Sequence, residues 1–273
     1  MPGDATNKQR LDGKAALITG ASGGIGQATA ALFLELGAKV MLVDLDESRL
    51  AETRAKLGSE NCATATAECT DEEAIHAAIA ATVERFGALN ILVANAGTEG
   101  QLGPINQLSV ENFERVLRVN VVGVWLAMKH AVQAMKSAGG GAIVATSSVA
   151  GVIGFPGLAP YAASKHAVAG LVQTAAMELA PSNIRANAVA PGPIDNRMMQ
   201  SLGDQLGGGN PAAFRDFVNS RIPMARYGKN EEIAHLIAFL ASDAASYCTG
   251  GLYAADGGYL AGLRERIASL RLQ

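Results

Sequence analysis

Short continuous apolar runs alternate along the chain with longer stretches whose apolar residues recur every three or four positions. The first kind fits buried strands and the second fits helices with one apolar stripe. Residues 15–18 are an apolar run that ends in Thr19-Gly20-Ala21-Ser22-Gly23-Gly24-Ile25-Gly26. Ala28, Leu32, Phe33 and Leu36 then keep helical spacing until Gly37 stops them. A strand at 40–43, ending at Asp44, closes a βαβ unit, which requires a parallel sheet. The alternation then repeats. It predicts a helix at 47–57 before Gly58, a strand at 63–67, and a helix opened by a Thr70–Glu73 capping box and reaching Phe86. Further on it predicts a strand at 89–94, one long helix from a Ser109 cap to about Ser137, and a strand at 142–146. A helix at 161–180 ended by Pro181, a strand at 184–190, a helix at 231–240 and a strand at 251–255 complete the series. The fold class is therefore α/β: a single-domain, doubly wound, parallel seven-stranded sheet flanked by helices.

The alternation breaks between Pro191 and Tyr227, a span too long for a simple connection and expected to form a functional flap, about 193–227. Gly207-Gly208-Gly209 within it is a candidate hinge. Residues 1–10 are polar and read as a loose tail, 11–262 as the domain, and 263–273 as a short amphipathic tail covering an edge or a partner subunit.

Composition narrows the classes. The 273 residues are 49% hydrophobic and give ample core, while a net charge of −3 offers no electrostatic case for nucleic acid or an anionic membrane. No apolar run reaches the roughly 18 residues of a membrane span, and the N-terminus lacks a signal-peptide core. Three cysteines without a C-x-x-C pair fit a reducing compartment, so a cytoplasmic location is expected. No metal site is expected, and the four histidines, on or near helical patterns, receive no chemistry.

The candidate chemistry lies at three places. Gly20, Gly24 and Gly26 let the backbone approach a pyrophosphate at a helix N-terminus, although their spacing differs from G-x-G-x-x-G. Gly20-Ala21-Ser22-Gly23-Gly24 also satisfies the G-x-S-x-G nucleophile elbow, but no histidine stands where such a hydrolase needs its base. Asp44 follows Gly26 by 18 residues at a strand end, where a carboxylate can bind an adenosine ribose and repel a 2′-phosphate. With no basic residue at Ser22, Gly23 or Leu45, this favours NAD over NADP. Tyr161 and Lys165 share one helix face. A tyrosine, ordinarily near pKa 10, must fall to about 7 to act at neutral pH, at about 4 kcal/mol; a cation about 4 Å away in a half-wet site supplies roughly that.

Together these residues spell a pattern. Thr19-Gly20-x-x-x-Gly24-x-Gly26, Ala94-Asn95-Ala96-Gly97, Asn120 between two valines, Ser148 placed 13 residues before Tyr161, Lys165, Pro191-Gly192 and Asp256-Gly257-Gly258 occur in order. The chain resembles the short-chain dehydrogenase/reductase family from about Leu11 to Gly258. The resemblance implies a Rossmann-type domain with a catalytic set of Asn120, Ser148, Tyr161 and Lys165. Tyr161 is the implied acid/base. Ser148 would hold the substrate oxygen, with its neighbour Ser147 pointing away. Lys165 would lower the Tyr161 pKa and bind the nicotinamide ribose, and Asn120 would interrupt its helix and hold a relay water. The implied cofactor contacts are Gly20, Ser22, Gly24, Ile25, Gly26, Asp44, Leu45, Glu68, Cys69, Asn95, Ala96, Gly97, Tyr161, Lys165, Pro191, Gly192, Ile194 and Asn196. Glu68-Cys69 replaces the family's usual Asp-Val, and Asn196 its usual threonine.

The expected reaction interconverts a small hydrophobic secondary alcohol and its ketone. Ser148, Ala150, Phe155, Tyr161 and Met198 are the candidate substrate contacts. Val149, Val152, Ile153 and Leu158, with Met199, Leu202, Leu206, Phe214 and Phe217 of the flap, extend an apolar wall, and Glu99 and Gln101 offer polar contacts. The resemblance also suggests a homotetramer through the long helix with Trp125, the Tyr161 helix and the last strand. Two alternatives stand beside this reading: a β-ketoacyl thioester reductase of the same family, which Asp44 disfavours, and a non-catalytic NAD-binding regulatory protein, which an intact tetrad disfavours.

Overall fold

The structure, a computed structural model, describes residues 8–262. Seven strands, β1 (Ala15–Thr19), β2 (Lys39–Asp44), β3 (Cys62–Thr66), β4 (Ile91–Ala94), β5 (Gly141–Thr146), β6 (Ile184–Pro191) and β7 (Leu252–Ala255), form one sheet in the order β3-β2-β1-β4-β5-β6-β7. Every pairing is parallel. Nine helices among the described residues complete the fold: α1 (Gly24–Glu35), α2 (Glu47–Leu57), α3 (Glu72–Phe86), α4 (Val110–Leu117), α5 (Gly123–Ser137), α6 (Ala159–Leu179), α7 (Arg197–Leu206), α8 (Pro211–Arg221) and α9 (Asn230–Ala241).

Alternation along the strands divides the interior in two. Ala16, Ile18, Val40, Leu42, Val93 and Val144 face a layer with Phe33, Leu50, Ile233 and Ile237, from α1, α2 and α9. The residues between them, Leu17, Met41, Val43, Leu92 and Ile143, face Ile75, Ile79, Met128, Met135, Val168 and Val172, from α3, α5 and α6. Both faces of a parallel sheet are thus covered, which is why its strands read as continuous apolar runs. The sheet order reverses between β1 and β4, and the carboxyl ends of the strands there open the crevice where such folds bind ligands.

Most expected boundaries hold within two residues. The Thr70–Glu73 capping box does not form. Asp71 caps α3 by accepting from Ala74 N, and the Thr70 hydroxyl donates to Glu68. A short aspartate directly before the helix wins the cap. Nor is the helix from Ser109 continuous. Ser109 does cap α4, but a π-helical turn, Arg118–Val122, separates α4 from α5. The flap consists of α7 and α8, capped by Asn196 and Asn210 and joined through Gly207–Gly209, with positive φ at Gly208 and Gly209. Residues 263–273 and the start of the N-terminal tail lie outside the described residues, so the expectations for them do too.

Candidate active site

The glycine turn between β1 and α1 is shaped by close approaches. Gly20 has φ +63°, and a Cβ there would stand 2.8 Å from Ala96 Cα; a Cβ on Gly26 would meet the Gly20 carbonyl oxygen. Thr19 and Asn95 bind this turn to β4. The Thr19 hydroxyl accepts from the amides of Asn95 and Ala96, the Asn95 side chain donates to the Thr19 and Gly20 carbonyls, and Thr146 donates back to Asn95. The α1 N-terminus carries no side-chain cap at Gly23. Bare amides, a positive dipole end and glycines without Cβ atoms make a cradle that fits a dinucleotide pyrophosphate.

Asp44 sits beside this cradle at the end of β2. Its carboxylate accepts from Ser22 N at 3.0 Å, from the Ser22 hydroxyl at 2.5 Å and from Leu45 N at 2.8 Å. Leu45 itself is exposed. Arg49 donates to the Ser22 carbonyl at 3.0 Å, a cation beside the turn that single-residue neighbours of Asp44 do not reveal. Glu68 and Cys69 follow β3. The Cys69 thiol lies against Gly123, and burial pushes its pKa up to about 11. Ile25 lies in the first turn of α1 at the cradle, while at the other end of the crevice Gly192 closes on Asp256 and Ile194 is buried.

The catalytic candidates converge where β4, β5 and α6 meet. Asn120 is fully buried in the π-turn. Its Oδ1 accepts from Thr98 N at 2.8 Å, and its Nδ2 donates to Thr98 O and Ser164 Oγ at 2.9 Å each. Every side-chain lone pair and proton used here faces protein, so the buried amide is satisfied. A Cβ on Gly97 would lie 3.2 Å from Asn120 Oδ1 and 3.5 Å from Lys165 Nζ, which puts the Asn95-Ala96-Gly97 loop directly over both. Ser148 accepts from Ala150 N, keeping its own proton free to donate. Ser147 turns away, as alternation requires, and donates to Lys165 O.

Lys165 and Tyr161 do share a helix face, but the ammonium does not sit at the phenol oxygen. Lys165 Nζ donates to Thr146 O at 2.8 Å and lies 5.6 Å from the centroid of the Tyr161 ring. Burial pushes the Tyr161 pKa up to about 12; the Ser148 hydroxyl pulls it down and the Glu99 charge raises it further. Burial also draws Lys165 down to about 8. Burial in this closed site therefore dominates the phenol, and the ammonium is held at the Thr146 carbonyl.

The closure comes from the flap. Met198 brings its sulfur to 3.7 Å from the Tyr161 hydroxyl, and Met198 and Leu202 of α7 pack with Leu102, Phe155 and Ala162 around Ala150, Leu158 and Tyr161. This is the apolar wall, smaller than expected. Phe214 packs instead on Gly203 and Gly207 inside the flap, Phe217 is exposed under Arg221, and Val152 and Ile153 are largely exposed. Phe214 joins α8 to α7, and Phe217 stays outside the wall. Asn196 spends its side-chain oxygen capping α7 on Met198 N and Met199 N.

Sequence reasoning missed several members. Leu102 replaces the absent phenylalanines, and Tyr259 stacks obliquely on Phe155 at 5.9 Å. Asn230 presses its side chain on Gly24 and hydrogen-bonds Asn196, bridging the cradle to the flap. Its polar position at a helix start was the available signal.

Residues 20–260 match the family model described as enoyl-(acyl carrier protein) reductase. The chain is 41% identical over 249 residues to the cis-4-hydroxycyclohexanecarboxylate dehydrogenase of Sinomonas cyclohexanicum, covering 91% of this chain and 97% of that protein. It is 40% identical to the 3-oxoacyl-[acyl-carrier-protein] reductase FabG of Thermotoga maritima, with 91% and 98% covered. Among solved structures, a levodione reductase superposes with a TM-score of 0.90 at 36% identity, covering 92% of this chain and 99% of that one.

Proposed function

Since this chain belongs to the short-chain dehydrogenase/reductase family of alcohol and ketone oxidoreductases, we propose that it is an NAD-dependent enzyme interconverting a hydrophobic, alicyclic secondary alcohol and its ketone. The observation that carries this is the convergence of Asn120, Ser148, Tyr161 and Lys165 beneath an apolar flap. NAD, when bound, supplies the hydride acceptor. The glycine turn would hold its pyrophosphate, Asp44 its adenosine ribose, and Lys165 its nicotinamide ribose. Ser148 donates to the substrate oxygen and stabilises negative charge that develops there. Tyr161 takes the hydroxyl proton during oxidation and returns it during reduction.

Asp44 supports NAD, since a 2′-phosphate beside that carboxylate is repelled. Arg49 is already engaged with Ser22 and is the first place to look should NADP be preferred. The pocket formed by Phe155, Leu158, Met198 and Leu202 supports an apolar ring, and the name of the Sinomonas relative supports an alicyclic one. No helix among the described residues is long and apolar enough to cross a membrane. A cytoplasmic homotetramer is part of the proposal; exposed Trp125 on α5 and Met177 on α6 suit the expected subunit contacts.

The test is absorbance at 340 nm with NADH and NADPH against cyclic and acyclic ketones, with Tyr161→Phe as control. Turnover of cyclic ketones with NADH, falling at least about a thousandfold in Tyr161→Phe while NADH still binds, supports the proposal. NADPH preference rejects the role given to Asp44. The FabG identity favours one competing reading, and faster reduction of an acetoacetyl thioester than of any cyclic ketone would install it.

A further inference from the structure

The loop after β4 buries one carboxylate against α7, beside this apolar pocket. Glu99 is only 6% exposed and follows Thr98, the residue clamped to Asn120. Its two oxygens accept from the terminal nitrogens of Arg197 at 3.1 and 3.3 Å. Arg197 opens α7 and immediately precedes Met198, whose sulfur rests on the Tyr161 hydroxyl. The ion pair therefore adjoins the residue that covers the phenol, and the Glu99 charge raises the Tyr161 pKa.

The pair is lopsided. The Arg197 side chain is 63% exposed and that of Glu99 only 7%. The other two ion pairs of the flap region, Arg215–Asp195 and Arg226–Glu232, are about equally exposed on both sides. Water screens the Arg197 cation far more than it screens the carboxylate, so the field reaching the pocket is mainly negative. Arg197 nonetheless holds Glu99 below the usual carboxylate range against the effect of its burial, so it is ionised at neutral pH.

We propose that Glu99 is a specificity residue that makes this pocket select uncharged alcohols and ketones and reject those carrying a carboxylate. The proposal rests on the alcohol/ketone reading above and narrows its substrate class. Like charges facing each other across a half-wet site repel, and Arg197 offsets part of this, so discrimination of about tenfold is expected.

The test compares methyl 4-hydroxycyclohexanecarboxylate with its free acid, which differ little in shape and by one charge. The ratio of their kcat/KM values is measured for the wild type, Glu99→Gln and Arg197→Gln. The wild type is expected to favour the ester about tenfold or more. Glu99→Gln should shrink that ratio several-fold, and Arg197→Gln, assayed at alkaline pH where the uncompensated carboxylate is ionised, should widen it. A pair that merely clips α7 in place would move both variants the same way. Equal handling of acid and ester by the wild type, or variants that shift the ratio together or not at all, overturns the proposal. Calorimetric binding of the two compounds to the NADH-loaded protein reads the same charge preference without turnover. Binding selectivity without oxidation of either compound would therefore sink the reaction reading and leave the charge selection standing.

Discussion

A phenol pushed up to about 12 beside an amine drawn down to about 8 describes a site in which burial disfavours the charged form of both groups. The direction of catalysis inherits this. Alcohol oxidation needs the phenolate, so its kcat/KM is expected to climb steadily between pH 7 and 10. Ketone reduction needs the protonated phenol and should not climb over that range. Initial rates in both directions across pH check this; oxidation flat from pH 7 would mean that the phenol ionises far more readily than its burial implies. Asn120 makes a second residue-scale prediction. Asn120→Ala strips three hydrogen bonds from a buried π-turn, leaving Thr98 N and O without their side-chain partner. It should cost about 2–4 kcal/mol in urea unfolding and loosen the Thr98–Glu99 loop. Tyr161 and Lys165 were legible in the sequence through their helical spacing, and Asn120 and Ser148 through the resemblance to the family. The aim of Lys165 was not. Helical spacing places two side chains on one face but does not say which acceptor a flexible lysine finds, and here it finds the Thr146 carbonyl.

Among the elements, the glycine turn has the least freedom. Gly20→Ala forces a positive φ on alanine and a Cβ to within 2.8 Å of Ala96 Cα. The expected result is loss of NADH binding by fluorescence titration with a Tm lower by several degrees; NADH affinity unchanged from wild type would show that the turn has slack that these distances deny it. Strands and helices were legible for a simple reason. A sheet covered on both faces leaves continuous apolar runs, and amphipathic helices leave a stripe. The flap was legible only as an interruption. Which of its apolar residues face the tyrosine depends on how α7 and α8 dock, a long-range fact with no local signature. Hence Phe155→Ala should lower kcat/KM for cyclic ketones about tenfold or more, whereas Phe214→Ala should act mainly through stability of the α7–α8 pair. Steady-state kinetics beside thermal melts separates the two effects. The π-turn was foreshadowed by Asn120 alone, since a polar residue between valines marks an interruption without stating its geometry.

At the scale of the whole molecule, Lys165 links pH to stability. Its folded pKa, about 8, lies below its ordinary value of 10.5. Between those values the unfolded chain holds a proton that the folded chain has released, so stability should rise with pH from about 8 to 10.5. The rise that Lys165 contributes should be missing from Lys165→Met. Urea unfolding of both proteins at pH 7.5, 9 and 10 checks the slope; parallel pH dependence in the two would mean that the lysine stays charged when buried.

The two layers of the interior are drawn from alternate residues of the same strands, Ala16 and Ile18 for one and Leu17 for the other. Such a strand tolerates exchange of one apolar residue for another far better than it tolerates a change of length. Dropping a single residue from β1 would trade the two interiors and drag the glycine turn out of reach of Ala96. The flap obeys no such parity rule, because helices joined through glycines at Gly207–Gly209 can lengthen or shorten without reversing anything beneath them. Insertions and deletions are therefore survivable there and ruinous in the sheet. Lineages descended from such a chain are free to diversify what they act on by editing length at the flap, while the sheet that aligns the reacting groups stays constant in length.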